Sequence, residues 1–277
     1  MISVAMTTYN GEKYIEQQLY SILNQTRPVD EVIICDDGSN DRTVDIIKSM
    51  KDDRIKLVEN DSNLGYIMNF KKAISLTQGE YIFLSDQDDI WEPNKVETMV
   101  NLMEETGCDA LCSNFSLIDK DSRRITNREC LQIDSFIEKA KNRILQISFF
   151  RLLFGNIAQG CTYCFTKKIK QVYLEIDNKE VIHDYQIMLI AAAIGKVLFL
   201  NEKLIRYRLH DNNSIGFGHK KREWIIKKKK ISKKPFMVQF INDLQSVVFL
   251  KNALFYKILF YLRIPYIRAV IRKIFLG

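Results

Sequence analysis

Tyr81-Ile82-Phe83-Leu84-Ser85-Asp86-Gln87-Asp88-Asp89-Ile90-Trp91 decides how the chain is read. A short strand-forming run ends abruptly in three carboxylates, Asp86, Asp88 and Asp89. Strands of this composition are buried, so the acids emerge at the carboxyl end, where open α/β sheets bind ligands. No cationic residue stands among the three, and like charges so close repel unless solvent or a divalent ion intervenes. Hard oxygen donors suit Mg²⁺ or Mn²⁺, ordinarily held together with a substrate phosphate. The competing reading is an acidic turn in which Asp89 or a neighbour caps the helix after Pro93.

Upstream, Ile2–Thr8 reads as a strand entering a turn at Tyr9-Asn10-Gly11. A helix over about 12–24 follows, with Tyr14, Ile15, Leu19, Ile22 and Leu23 at helical spacing. The second strand, 31–35, also ends in acid, at Asp36-Asp37-Gly38-Ser39. A helix at 43–50, a strand at 55–59, a turn at Asn63-Leu64-Gly65 and a helix at 67–77 lead to the opening stretch. Such alternation predicts an α/β protein with a parallel sheet and helices on both faces. The strand ends collect the polar residues, so a ligand is expected there. Neither a glycine-rich dinucleotide fingerprint nor a Walker-type lysine loop is present, which points to a nucleotide held by side chains and a metal.

Downstream, 91–105 is predicted helical and 110–117 a strand, while 118–148 is polar and then amphipathic, a candidate flap. Residues 161–165 read as a strand. A helix opens at Asp184 and ends at Gly195, with Asp184 a good N-cap. Strands at 196–200 and 204–209 follow, the second finishing in His210-Asp211-Asn212-Asn213.

The chain of 277 residues can hold one sizeable core with an appended smaller unit. Its 47% hydrophobic and 27% charged residues describe a globular protein and exclude a disordered one. No basic start leads into an apolar run, and no stretch reaches the ~18 apolar residues of a spanning helix, so a cytosolic origin is expected. Six cysteines sit mostly among apolar neighbours, and Cys161-Thr162-Tyr163-Cys164 lacks the second pair that a zinc site needs. The net charge of +7 conceals an asymmetry: residues 219–277 hold 15 Lys and Arg against two acids, and the remainder is acidic. Lys227–Lys230, Trp224 and the apolar stretch 236–262 read as basic amphipathic helices suited to an anionic membrane surface, or to packing on the body. A nucleic-acid partner is not expected, since no binding module is present.

Thr7-Thr8-Tyr9-Asn10, Asp36-Asp37-Gly38-Ser39, the Ser85–Trp91 run, His183-Asp184 and Tyr207-Arg208-Leu209-His210-Asp211-Asn212-Asn213 occur in the order found in family 2 glycosyltransferases. Over about 1–215 the chain resembles that family. The resemblance implies a GT-A catalytic domain over 1–215, a basic helical extension over 216–277, and narrowly a rhamnosyltransferase-like branch of bacterial polysaccharide synthesis. It implies that Tyr9 stacks on the nucleotide base beside Thr7. Asp37 would read the pyrimidine N3–H with Asp36 adjacent, a role an acceptor-only carboxylate suits; a plain turn with Gly38 is the alternative. Asp88 would hold the metal, Asp86 the ribose or a water on the metal, and His210 the metal or the diphosphate. Asp184 would be the base. The implied donor is dTDP-rhamnose or a UDP-hexose, the acceptor a lipid-linked glycan, and the location the cytoplasmic face of the bacterial inner membrane. One base and no second carboxylate near it imply inversion of the anomeric centre.

Overall fold

Ile2–Thr8 (β1), Glu31–Asp36 (β2), Ile55–Glu59 (β3) and Tyr81–Ser85 (β4) lie side by side in the order β3-β2-β1-β4, all parallel. The computed structural model describes residues 1–126, 142–152, 155–210 and 236–247. Between these strands run Ile15–Leu23 (α1), Thr43–Ser49 (α2) and Tyr66–Leu76 (α3). Because strand side chains alternate, β1 sends Val4 and Met6 to one face and Ala5 to the other. Val32 and Ile34 of β2 follow the first pair, while Ile33 and Cys35 follow Ala5. Each face carries its own apolar cluster, which explains why these strands are apolar throughout rather than alternating.

Beyond β4 the sheet becomes mixed. Ile90–Trp91 (β5), Lys95–Thr106 (α4), Ala110–Ile118 (β6), Arg124–Ile125 (β7) and Ile144–Ile147 (β8) come first. Phe149–Leu152 (α5), Tyr163–Thr166 (β9), Lys167–Glu175 (α6), His183–Ile194 (α7), Val197–Arg208 (β10) and Phe236–Val247 (α8) complete the described elements. The order continues β4-β9-β6-β10-β5, with β7 on β6 and β8 on β10. β9 is antiparallel to β4 and β6, whereas β10 is parallel to β6. The register Phe83↔Cys164 means that β9 begins where β4 ends, which delivers Gly160 and Cys161 to the acidic turn.

Several boundaries differ from expectation. Trp91 belongs to β5, paired with Ile205, and α4 starts only at Lys95. Pro93 disfavours helix in the residue before it, so the helix cannot reach back to Trp91. Neither Asp89 nor the N-cap residue Asn94 caps α4 by its side chain. The two strands expected at 196–200 and 204–209 form one strand, β10, with register shifts between Leu200, Lys203 and Arg206; a bulged strand breaks the two-residue period without ending. Gly160–Thr162 is a 3₁₀ turn ahead of β9. Asp184 lies inside the first turn of α7, whose N-cap is Ile182.

Of the flap expected at 118–148, the flanks are sheet (the end of β6, β7 on β6 and β8 on β10), and 127–141 lie outside the described residues, as do Cys130 and most of the basic tail, including Trp224 and Lys227–Lys230. Cys35, Cys108, Cys112, Cys161 and Cys164 are buried free thiols. α8 buries Phe240, Ile241 and Leu244 in the cluster that holds Ile176, Val181 and Ile187. Each contributes about 2 kcal/mol by burial. Asn178 Nδ2 also donates to Asp243 Oδ2 at 3.2 Å, so this part of the tail packs on the body. Among the described residues no helix is long and apolar enough to cross a membrane.

Candidate active site

Parallel pairing of β1, β2 and β4 places their carboxyl ends on one edge, so residues 7–11, 36–39 and 86–89 meet there. Thr7 is partly buried on β1, and Tyr9 is 48% exposed. Tyr9's backbone is gripped by Gln87: its N–H donates to Gln87 Oε1 at 2.8 Å, and Gln87 Nε2 donates to its carbonyl at 3.0 Å. Gly11 makes room for that amide, since a Cβ there would lie 2.3 Å from Gln87 Oε1.

The two acids of β2's tip divide their work. Asp36 accepts Thr8 Oγ1 (2.7 Å), Gly38 N–H (3.1 Å), Ser39 N–H (2.8 Å) and Ser39 Oγ (2.6 Å). Four donors fill the roughly four lone-pair positions of a carboxylate. Asp36 is therefore a turn-forming residue that shapes the tip beside Asp37. Asp37 accepts Asn60 Nδ2 (2.9 Å) and Leu64 N–H (2.7 Å) on Oδ1 and Gly65 N–H (2.9 Å) on Oδ2. That arrangement leaves acceptor capacity on Oδ2 and fixes the loop leading into α3.

In the acidic loop, Asp86 and Asp88 are partly buried and Asp89 is fully buried. Burial, reinforced by Asp89, Asp88 and Asp184, holds the Asp86 carboxyl well above the usual range. Burial and then Asp88 push Asp89 up to about 7, opposed by the Arg208 N–H that reaches its Oδ1 at 3.0 Å. Beneath them Lys95 is fully buried, its ammonium 4.1 Å from the Trp91 ring centroid and 2.6 Å from the Cys161 carbonyl to which it donates. Burial lowers that ammonium to about 8. Oxygens of Asp86 and Asp89 come within 4.8 Å of the Cys161 sulfur. Burial and the two acids raise the Cys161 thiol, and a protonated thiol is a poor partner for a hard cation.

The end of β10 closes the site from the other side. His210 Nε2 lies 2.7 Å from Asp88 Oδ2, and both side chains are largely buried. The Asp88 carboxylate next to the His210 imidazole is a donor pair that fits a divalent ion such as Mn²⁺. Burial raises Asp86 first, and the repulsion that Asp89, Asp88 and Asp184 add to it is what a divalent ion would relieve.

Asp184 faces the same acids from α7, near enough to help raise Asp86. It accepts Asn156 Nδ2 at 3.1 Å and the Tyr185 N–H at 2.6 Å. Burial pushes it up to about 7, against those hydrogen bonds. A Cβ on Gly160 would lie 3.1 Å from Asp184 Cβ, so the glycine lets the 3₁₀ turn press against the acid. His183 is stacked 4.0 Å from Phe70 and held neutral by burial, which lowers it to about 3; it packs rather than ligates.

A buried carboxyl poised near 7 beside a cluster of acids can take a proton from an alcohol. Sequence reasoning passed over Gln87, Lys95 and Arg208. Gln87 and Arg208 stood within quoted motifs, but each of the three acts through partners far along the chain.

An open α/β sheet, mostly parallel and flanked by helices, with acids at adjacent strand tips and a carboxyl across from them, is a GT-A-type nucleotide-sugar transferase architecture. Residues 3–168, more than half of the chain, match the profile of "Glycosyl transferase family 2", and the chain belongs to that family. It is 29% identical over 219 residues to the putative teichuronic acid biosynthesis glycosyltransferase TuaG of Bacillus subtilis, covering 78% of this chain and 81% of that one. Against the Escherichia coli UDP-Glc:alpha-D-GlcNAc-diphosphoundecaprenol beta-1,3-glucosyltransferase WfgD the identity is 27% over 230 residues, covering 81% and 84%. Among solved structures, Staphylococcus aureus TarS in complex with UDP-GlcNAc superposes with a TM-score of 0.65 at 17% identity, covering 91% of this chain and 68% of that one. The mannosyltransferase PcManGT of Pyrobaculum calidifontis, bound to GDP-Man and Mn²⁺, gives 0.63 at 16% identity, covering 96% and 71%. These two show a shared fold.

Proposed function

We propose that this chain is an inverting, metal-dependent glycosyltransferase that moves a sugar from a nucleoside-diphosphate donor to a lipid-linked glycan in bacterial surface polysaccharide synthesis. The observation that carries the proposal is an acidic loop whose Asp88 meets His210 while its Asp86 lies within electrostatic reach of a buried Asp184. Tyr9, exposed and fixed by Gln87, offers its ring to the base, with Thr7 beside it. Asp37 accepts the pyrimidine N3–H on its remaining acceptor position. Asp88 and His210 would hold Mn²⁺ or Mg²⁺, which supplies charge stabilisation to a diphosphate leaving group. Asp86 faces the ribose.

Asp184 takes the proton of the attacking hydroxyl, a contribution typically of ~10²–10⁴-fold. Its burial matters twice. A raised basicity makes it a better proton acceptor, and the enclosing Asn156 and Gly160 hold it in one orientation. A single displacement with one base inverts the anomeric carbon.

The SDQDDIW run and the YRLHDNN ending favour dTDP-rhamnose as donor. A UDP-hexose is the second reading, favoured by the similarity to WfgD, whose name specifies UDP-Glc. Residues 1–215 would be the catalytic domain. The basic extension, 216–277, would bring it to the anionic cytoplasmic face of the membrane, each cation adding about 1 kcal/mol. Incubating the full chain with dTDP-rhamnose, UDP-glucose, UDP-GlcNAc and a GDP-sugar and following nucleotide release identifies the donor. Release from none of them, with or without Mn²⁺, would overturn the proposal.

A further inference from the structure

Arg208 stands behind the acidic loop and is 1% exposed. Its Nε donates to the Asp88 carbonyl at 2.7 Å, and its backbone N–H to Asp89 Oδ1 at 3.0 Å. Nη1 reaches the Asp119 carbonyl (3.2 Å) and Ser122 Oγ (2.9 Å) in the turn between β6 and β7. Nη2 reaches Gln17 Oε1 on α1 at 2.8 Å. The guanidinium also lies 4.5 Å from the centroid of Tyr14, whose ring is 5.1 Å from that of His210. One side chain thus joins the acidic loop to α1 and the β6–β7 turn, and its aromatic neighbour flanks the imidazole.

We infer that Arg208 is a positioning residue for the cation site, fixing the Asp88 main chain directly and the His210 ring through Tyr14. This rests on the reading of Asp88 and His210 as the metal-holding pair. Two opposite effects follow from a buried guanidinium here. As a charge it repels an incoming cation; as a rigid five-donor fork it holds the ligands in place. If charge dominates, removing Arg208 tightens metal binding. If positioning dominates, removal weakens it, as loss of the groups that orient metal ligands does by about 10–100-fold. The carbonyl contact favours positioning, because the fork meets Asp88 at its main chain and leaves the carboxylate to His210.

The test is Mn²⁺ titration of the full chain, with and without UDP, following free Mn²⁺ by electron paramagnetic resonance. Arg208→Lys keeps the charge and loses the fork; its Kd for Mn²⁺ rises at least about tenfold while the circular dichroism stays that of the parent. Arg208→Ala shows a larger loss, partly restored by millimolar methylguanidinium. Gln17→Leu removes a single partner and raises Kd about threefold, the size of one ordinary hydrogen bond, which keeps the test valid should an Arg208 variant not fold. Equal or tighter Mn²⁺ binding by Arg208→Lys, or by Gln17→Leu if Arg208→Lys does not fold, overturns the positioning role and leaves the metal reading standing. No Mn²⁺ binding by the parent chain overturns both.

Discussion

Replacing Asp184 by Asn should abolish transfer and, above neutral pH, stabilise the protein. Burial raises this carboxyl from an ordinary 3.8 to about 7. The folded state therefore holds a proton that the unfolded chain has already released between those values. Stability falls as pH rises through that window, by about 4 kcal/mol once Asp184 is fully ionised. An amide carries no such penalty. It does bring its own conflict, because Asn156 Nδ2 now donates to Asp184 Oδ2 and would meet the new amide nitrogen if Oδ1 keeps the Tyr185 N–H. That mismatch costs about 1–3 kcal/mol. The variant should be slightly less stable than the parent at pH 5, where Asp184 is protonated, and about 2 kcal/mol more stable at pH 8. For a chain of this size 2 kcal/mol moves Tm by roughly 4–8 °C. Thermal melts of both proteins from pH 5 to 8.5, run beside donor turnover, give the curves. Tm differences that do not change with pH, or normal turnover by Asp184→Asn, would refute the reasoning. In the parent, kcat/KM should rise with pH through about 7 as the base loses its proton.

Three further outcomes are expected. Asp88→Ala should lose Mn²⁺-dependent donor binding by calorimetry while retaining weak metal-independent binding of the nucleotide; unchanged Mn²⁺-supported affinity contradicts the assignment. Gly11→Ala forces a methyl to within 2.3 Å of Gln87 Oε1, so the amide must swing aside; losing its two hydrogen bonds to Tyr9 should cost about 1–3 kcal/mol and weaken UDP or dTDP binding. Parent-like affinity and stability together would remove Gln87 from the site's support. The full chain should bind vesicles containing anionic lipid and detach as salt rises, without a salt-sensitive shift on RNA. The reverse pattern would assign the basic extension to nucleic acid.

Much of this architecture is legible from residue order alone, because its signals are local. Apolar runs at 2–8, 31–35 and 81–85, each ending in polar residues, announce parallel strands whose tips share an edge. The acids at 86–89 and the His183-Asp184 pair stand out by composition and order. Tertiary structure decided what local signals do not carry. Asp36 and Asp37 are adjacent and chemically identical, yet one is filled by four donors of its own turn and of β1, while the other anchors a loop 23–28 residues away. Gln87 finds Tyr9 across 78 positions, and Arg208 finds Gln17 across 191. The antiparallel entry of β9 beside β4, which brings Gly160 to Asp184 and the Cys161 carbonyl to Lys95, leaves no trace in periodicity, since a strand reads alike in either direction. Residue type and spacing thus determined which chemistry was present. The geometry that lifts the Asp184 carboxyl to about 7 came from burial and long-range packing, which exist only once the chain has folded.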